Sequence, residues 1–405
     1  MLSSWTTLAS LVLLATQAAA TPLVSRQAVN LNVPTTWRSP TTTRTRANRI
    51  AISKNAVNRM IQYKNGHSNQ NVGNMNYWPS ANVWTEVVMH DFQAGTRDFI
   101  GTTLDAVGDT FGQYPNFRHN DWNDDTLWWQ FAAIYQFRAY GDNMALTWAR
   151  ASWDFVTRYQ ITGTSGNGKN FSWPSQCRSK SNMGGVFWKL TASDTYVNAI
   201  TTALYMASSA HLHDLTGEGK YLTAATNARN YIRNHLINGA GLVQDGMNIQ
   251  SCAITDWVFT YNQGKYIEAL AVLYGKTGRT EYLDEAVNIA ALSMKQSSFQ
   301  GTDGVITEGQ RTPYSENDDA RNFKGIYLRG LAVLYRRAPA NHQIRNLIRA
   351  YINVQANALI DLASDNASNP IHYAVPWKGP RNSGNHPWGQ LAALDALSVF
   401  VHVNN

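Results

Sequence analysis

Ala271-Val272-Leu273-Tyr274-Gly275-Lys276-Thr277-Gly278, followed by Glu281-Tyr282-Leu283-Asp284-Glu285-Ala286, reads as a helix, a Thr-Gly stop and a second helix opened by Tyr-Leu. Glycine ends helices well, because the left-handed conformation after the last turn carries no Cβ penalty there. The same arrangement stands earlier, as Leu204-Tyr205, Asp214-Leu215-Thr216-Gly217 and Lys220-Tyr221-Leu222-Thr223-Ala224-Ala225. A third copy follows, with Gly325-Ile326-Tyr327-Leu328 matching Gly264-Lys265-Tyr266-Ile267 and Leu334-Tyr335 matching Leu273-Tyr274. Tyr140-Gly141-Asp142 marks a degenerate earlier corner. Helical hairpins in series bury their inner faces only by stacking or by closing on themselves. About a dozen helices in a chain of 405 residues fit a closed all-α toroid of six hairpins, whose loops at one end line a single cleft.

Upstream of the repeat, apolar residues recur at three and four over 46–63, 83–99, 127–140 and 144–159, predicting amphipathic helices, and long β-type alternation is absent. Residues 46–405 read as one domain, preceded by a Thr/Pro/Ser/Arg-rich stretch, 21–45, expected as a flexible leader or propeptide. Residues 1–20 combine a short apolar run, Leu8 to Ala15, with Ala18-Ala19-Ala20, the pattern of a cleaved signal peptide. Export favours a disulfide between the two cysteines, Cys177 and Cys252. The sequons at Asn170 and Asn366 fit glycosylation on the same route. No later stretch is long and apolar enough to span a bilayer, and the C-terminal residues lack the tail of a lipid anchor. A secreted, extracellular monomer without a membrane anchor is the expectation. The net charge of +7 comes without a Lys/Arg-rich run, which argues against a nucleic-acid partner.

The chemistry concentrates in His119-Asn120-Asp121-Trp122-Asn123-Asp124-Asp125-Thr126-Leu127-Trp128-Trp129-Gln130, where acids, amides and tryptophans crowd together. Cleaving a glycosidic bond takes two carboxyl groups as a rule, one protonating the leaving oxygen and one serving as nucleophile or base. Tryptophan faces suit the apolar sides of sugar rings, and acids and amides suit their hydroxyls. By spacing alone the reading stays open. Asn-Asp-Asp ahead of an apolar run is also a common helix start, and Trp128 and Trp129 are more often core than ligand platform. Asn317-Asp318-Asp319 forms a rival acidic pair, read as solvated loop acids. His211 and His213 lie two apart, on different helix faces, so no metal is expected, and no phosphate loop or dinucleotide fingerprint is present.

Together these residues resemble glycoside hydrolase family 76, the endo-α-1,6-mannanases and their fungal cell-wall relatives. The likeness runs from about Tyr77 to Leu397, nearly the whole mature chain, and rests on an ordered series: Trp122-Asn123-Asp124-Asp125 with Trp128-Trp129, Cys177 with Gly184-Gly185-Val186-Phe187-Trp188, Asn198-Ala199-Ile200, Asp245-Gly246, Phe259-Thr260-Tyr261-Asn262-Gln263-Gly264 and Phe323-Lys324-Gly325-Ile326-Tyr327-Leu328-Arg329. The resemblance implies an (α/α)6 barrel and a retaining, endo-acting hydrolase of α-1,6-linked mannan that needs no cofactor. It assigns Asp124 as nucleophile and Asp125 as general acid/base. Extending the pattern gives cleft roles to Asn123, Trp129, Asn198, Asp245, Tyr261, Asn262, Gln263, Phe323 and Lys324. A cell-wall transglycosidase and a mannan-binding protein without turnover are the alternatives.

Overall fold

The computed structural model describes residues 29–309, 319–381 and 386–405. The expected signal peptide, residues 21–28 of the leader, and Asn317 and Asp318 of the rival pair lie outside them. Twelve α-helices follow in order: α1 (Arg46–Gln62), α2 (Tyr77–Ala94), α3 (Ile100–Gln113), α4 (Asn123–Tyr140), α5 (Asn143–Val156), α6 (Ala199–Thr216), α7 (Gly219–Tyr231), α8 (Thr260–Thr277), α9 (Thr280–Ser293), α10 (Ala320–Arg337), α11 (Ile344–Ala358) and α12 (Pro387–Val403). The even-numbered helices pack each on the next, and α12 returns to α2, closing an inner ring; the odd-numbered helices pack outside it. This is the (α/α)6 barrel expected from the hairpin repeat.

The repeat's glycines do two different jobs. Gly217 and Gly278 end α6 and α8 in the left-handed conformation, each donating its backbone N–H to the residue four before it. Gly264 and Gly325, which occupy matching positions in two copies, let neighbouring inner helices touch. A Cβ on Gly264 would lie 2.6 Å from the Tyr327 Cα on α10, and one on Gly325 would lie 2.5 Å from the Asp395 carboxylate on α12. Inner helices are accordingly buried on nearly every side, α6 and α8 from their first turns onward. The third copy departs from the pattern at its end, where α10 stops at Ala338 without a glycine.

Helix boundaries differ from expectation in places: α4 begins at Asn123 rather than 127, and α5 ends at Val156 rather than 159. The span predicted at 83–99 is displaced, because α2 begins at Tyr77 and ends at Ala94, capped by Gly95. α3 was not anticipated: its glycines at 101, 108 and 112 and its threonines lower helix propensity. Packing overrides that preference, and Asp91 caps the start by accepting from the backbone of Asp98 and Phe99. Residues 29–45, expected within a flexible leader, are instead laid against the outer wall. Trp37 is buried on Tyr351, Arg38 pairs with Asp361 at 2.9 Å, and Asn353 and Asn357 donate to the carbonyls of Ser39, Pro40 and Thr41.

The connections at the N-terminal ends of the inner helices carry the remaining structure. β1 (Gln176–Cys177) pairs with β2 (Lys180–Ser181), and β3 (Tyr196–Asn198), β4 (Gln244–Asn248) and β5 (Ile254–Val258) form an antiparallel sheet in that order. Bridges between Phe187 and Val197 and between Trp122 and Lys189 extend the pairing from this sheet to the start of α4. The disulfide Cys177–Cys252 is formed, tying the β1–β2 hairpin to the turn between β4 and β5.

Candidate active site

Asp124 and Asp125 occupy the first turn of α4, and the sheet extension fixes that turn. Asn123 donates its backbone N–H to the Trp188 carbonyl at 2.8 Å and its side-chain amide to the Phe187 carbonyl at 2.9 Å. Trp122, just before the helix, is bridged to Lys189. The helix-start reading holds, since the backbone of this first turn donates to Asp124; the same turn lies at the end of the barrel that carries the strands.

Burial dominates the electrostatics. It pushes Asp124 well above the usual carboxylate range, and repulsion from Asp125 adds to the rise, while the Trp188 indole and backbone N–H groups oppose it. Asp125 is pushed up to about 7, again chiefly by burial; the Asn120 amide, donating at 2.5 Å, pulls it down and the charge of Asp319 pushes it up. Two adjacent, buried carboxyls cannot both ionise readily, so the pair retains a proton well above the pH at which a free aspartate loses it.

Aromatic side chains from five inner helices meet at this end of the barrel. Tyr261 and Phe323 stack face to face with ring centroids 3.7 Å apart. Trp78 lies 6.4 Å from Phe323, 5.8 Å from Trp128 and 6.0 Å from Trp388, and donates its indole N–H to Asp319 at 3.0 Å. The Tyr261 phenol is raised by burial and then by the charges of Asp245, Asp124, Asp319 and Glu308. Asp245 accepts from the Tyr196 hydroxyl at 2.7 Å and is itself raised by burial. Opposite, Trp188 packs on Tyr196 and under the Lys189 ammonium, which also lies over Trp122. Acids and aromatic rings thus stand together at one end of the inner helices.

Of the residues expected in the cleft, Tyr261 stacks on Phe323 and feels the charges of both Asp245 and Asp124. Several others are buried and committed to the fold. Trp129 is fully buried, packs on Tyr77 and Phe117, and donates to the Tyr77 carbonyl, because α4 turns this face toward α2. Asn123 pins the helix start as described. Asn198 caps α6 by accepting from the Thr201 N–H. Gln263 clamps the backbone of Val243 through both ends of its amide. Lys324 is fully buried beneath Trp377 and donates to the Val375 carbonyl at 2.7 Å. Asn262 is buried beside Asp245 and opposes the rise of its carboxyl. Asp319, read as a solvated loop acid, is exposed and in addition accepts from the Trp78 indole; sequence reasoning gave no role to Asn120 or Tyr196. Their partners lie in other segments, which single-sequence spacing does not reveal.

The family model described as glycosyl hydrolase family 76 matches residues 50–403. The chain belongs to glycosyl hydrolase family 76. Among curated relatives it is similar to the mannan endo-1,6-alpha-mannosidase DCW1 of Saccharomyces cerevisiae, 25% identical over 355 residues, covering 80% of this chain and 71% of that one. The DCW1 of Candida albicans is 23% identical, covering 80% and 73%. Among solved structures, an inactive variant of the alpha-1,6-mannanase GH76A of Salegentibacter sp. HEL1_6, with two consecutive aspartates replaced by asparagine and alpha-1,6-mannotriose bound, superposes with a TM-score of 0.73. It is 19% identical and covers 88% of this chain and 99% of that one. Dfg5 from Chaetomium thermophilum, in complex with glucosamine, gives 0.71 at 17% identity, covering 89% and 92%. Family 76 membership accounts for the (α/α)6 architecture of the chain.

Proposed function

We propose that this family 76 hydrolase is a secreted, retaining enzyme that cleaves α-1,6-mannosidic links within the mannan backbone. The observation that carries the reading is the buried, adjacent Asp124–Asp125 pair at the end of the inner helices where the aromatic rings stand. The two acids share one proton; in the reactive form it stands on Asp125, which protonates the departing oxygen as the Asp124 carboxylate attacks the anomeric carbon. A water deprotonated by Asp125 then breaks the Asp124 ester and releases a product of unchanged anomeric form. Adjacent carboxyls suit the short separation of retaining enzymes, about 5 to 5.5 Å, better than the wider gap that admits an attacking water. The substrate named for the Saccharomyces, Candida and Salegentibacter proteins supports the choice of mannan. Exposed side chains at Asn170 and Asn366 leave both sequons open to glycosylation on an export route.

The test follows new reducing ends and their anomeric form by proton NMR during digestion of linear α-1,6-mannan. Fresh α-anomer ahead of mutarotation is expected. Fresh β-anomer would overturn retention, longer products at high acceptor concentration would favour transfer, and no products would favour binding alone.

A pH dependence follows from the same pair. Cleavage needs a proton on Asp125, so kcat/KM falls as pH rises through about 7. Asp319 raises Asp125 by repulsion, and Asp319→Asn therefore moves this alkaline limb toward acid pH. A pH–rate profile in which the limb stays in place, or moves the other way, would sink this account of Asp319.

A further inference from the structure

Trp257 is the most exposed large apolar side chain among the described residues, at 64%, and the fold places it with care. It lies on β5, the edge strand of the three-stranded sheet. Gly246 pairs with Thr255 and Gln244 with Val258, so the single residue Asp245 on β4 faces two residues, Asp256 and Trp257, on β5. Such a bulge re-aims side chains at sheet edges and beside active sites. This one sets Trp257 across from Asp245.

From Trp257 a row of rings leads inward. Its centroid lies 6.3 Å from that of Phe259, which in turn lies 5.4 Å from Phe323 and 6.0 Å from Tyr261. Tyr261 reaches the electrostatic neighbourhood of Asp124. The hairpin carrying the row is held at its turn by the Cys177–Cys252 bridge, so the exposed indole stands on a braced support. Trp122, 38% exposed, stands beside the site at the far end of the same run of paired strands. An exposed indole continuous with the aromatic wall of a cleft has the chemistry to stack against a sugar ring.

We propose that Trp257 is an outlying sugar platform, which holds the mannan chain after it has passed Phe259 and makes the enzyme favour long polymer over short oligosaccharide. This rests on the mannan reading above. The platform gives the bulge and the exposed indole a shared purpose: a contact made only by substrates long enough to leave the cleft.

The test compares wild type, Trp257→Ala and Trp257→Phe on long α-1,6-mannan and on α-1,6-mannotetraose. For Trp257→Ala the KM for polymer rises about ten-fold with kcat unchanged, both constants for the tetrasaccharide stay at wild-type values, and Trp257→Phe recovers most of the loss. An unchanged polymer KM, or an equal rise for both substrates, overturns the platform. Electrophoresis in gels containing mannan reads the same contact without turnover: wild type is retarded and Trp257→Ala less so, whereas equal mobility again overturns it. Retardation without cleavage by wild type would overturn the hydrolase reading while leaving the platform to be decided by the gel.

Discussion

Asp124→Asn lowers turnover of α-1,6-mannan by about 10⁴-fold or more, and Asp125→Asn by about 10² to 10⁴-fold, while both variants unfold at a higher temperature than wild type at pH 8. The activity loss follows from the assigned roles. Without Asp124 no glycosyl ester forms, and a better leaving group cannot help. Without Asp125 the departing oxygen lacks its proton, so a substrate with an activated leaving group restores the first step. If Asp124→Asn, and not Asp125→Asn, were rescued by such a substrate, the two roles would have to be exchanged.

The stability gain follows from burial. Both carboxyls are raised, so the folded chain holds these protons more tightly than the unfolded chain does. Their contribution is complete below the unfolded value near 4 and is lost as pH rises toward the folded value, about 7 for Asp125. Above that pH, wild type keeps a buried carboxylate that asparagine does not present. Asparagine also preserves an acceptor for the Asn120 amide. Thermal midpoints at pH 8 are expected to rise by roughly 2 to 5 °C, with no gain at pH 4. Equal shifts at both values would mean that charge burial is not the cause.

The barrel was legible because its repeat writes local rules into local sequence. The Thr-Gly stops at 217 and 278 act within one helix end, and the Tyr-Leu openings sit in the next helix. The acid pair was legible for a similar reason, since Trp122 to Trp129 is contiguous. What escaped is relational. Trp129 and Gln263 resemble sugar-binding residues by type, yet their roles depend on which face turns toward Tyr77 or Val243. Asp319 is the solvated acid its loop predicts, but nothing nearby in sequence announces its contact with Trp78. The segment 29–45 has no periodicity to report, and its order comes from Trp37 finding Tyr351 across more than three hundred residues.

Replacing Arg329 by methionine is the substitution expected to damage the fold most. Arg329 lies fully buried between Glu86 of α2 and Asp395 of α12, with its Nε 2.8 Å from an oxygen of each, and it donates to Asn82 at 3.0 Å. It therefore binds three inner helices across the centre of the ring. Burial, followed by repulsion from Asp395, raises Glu86 well above the usual range, which leaves one proton and one arginine to neutralise two acids. Methionine conserves much of the volume but strands a buried carboxylate, a change that typically costs about 3 to 5 kcal/mol. Glu86→Gln removes only the acid that already holds the proton, and its amide can still face Ser398 and Arg329. It is expected to be near neutral below the free carboxylate value of 4.5 and increasingly stabilising as pH rises above it, because the unfolded wild-type chain releases the Glu86 proton while the folded chain holds it. Denaturant unfolding at pH 5 and pH 8 separates the two cases. Arg329→Met should lose most of its stability at both values, and adding Glu86→Gln and Asp395→Asn to it should restore much of the loss. If the triple variant is no more stable than Arg329→Met alone, the damage comes from lost packing rather than from an uncompensated charge.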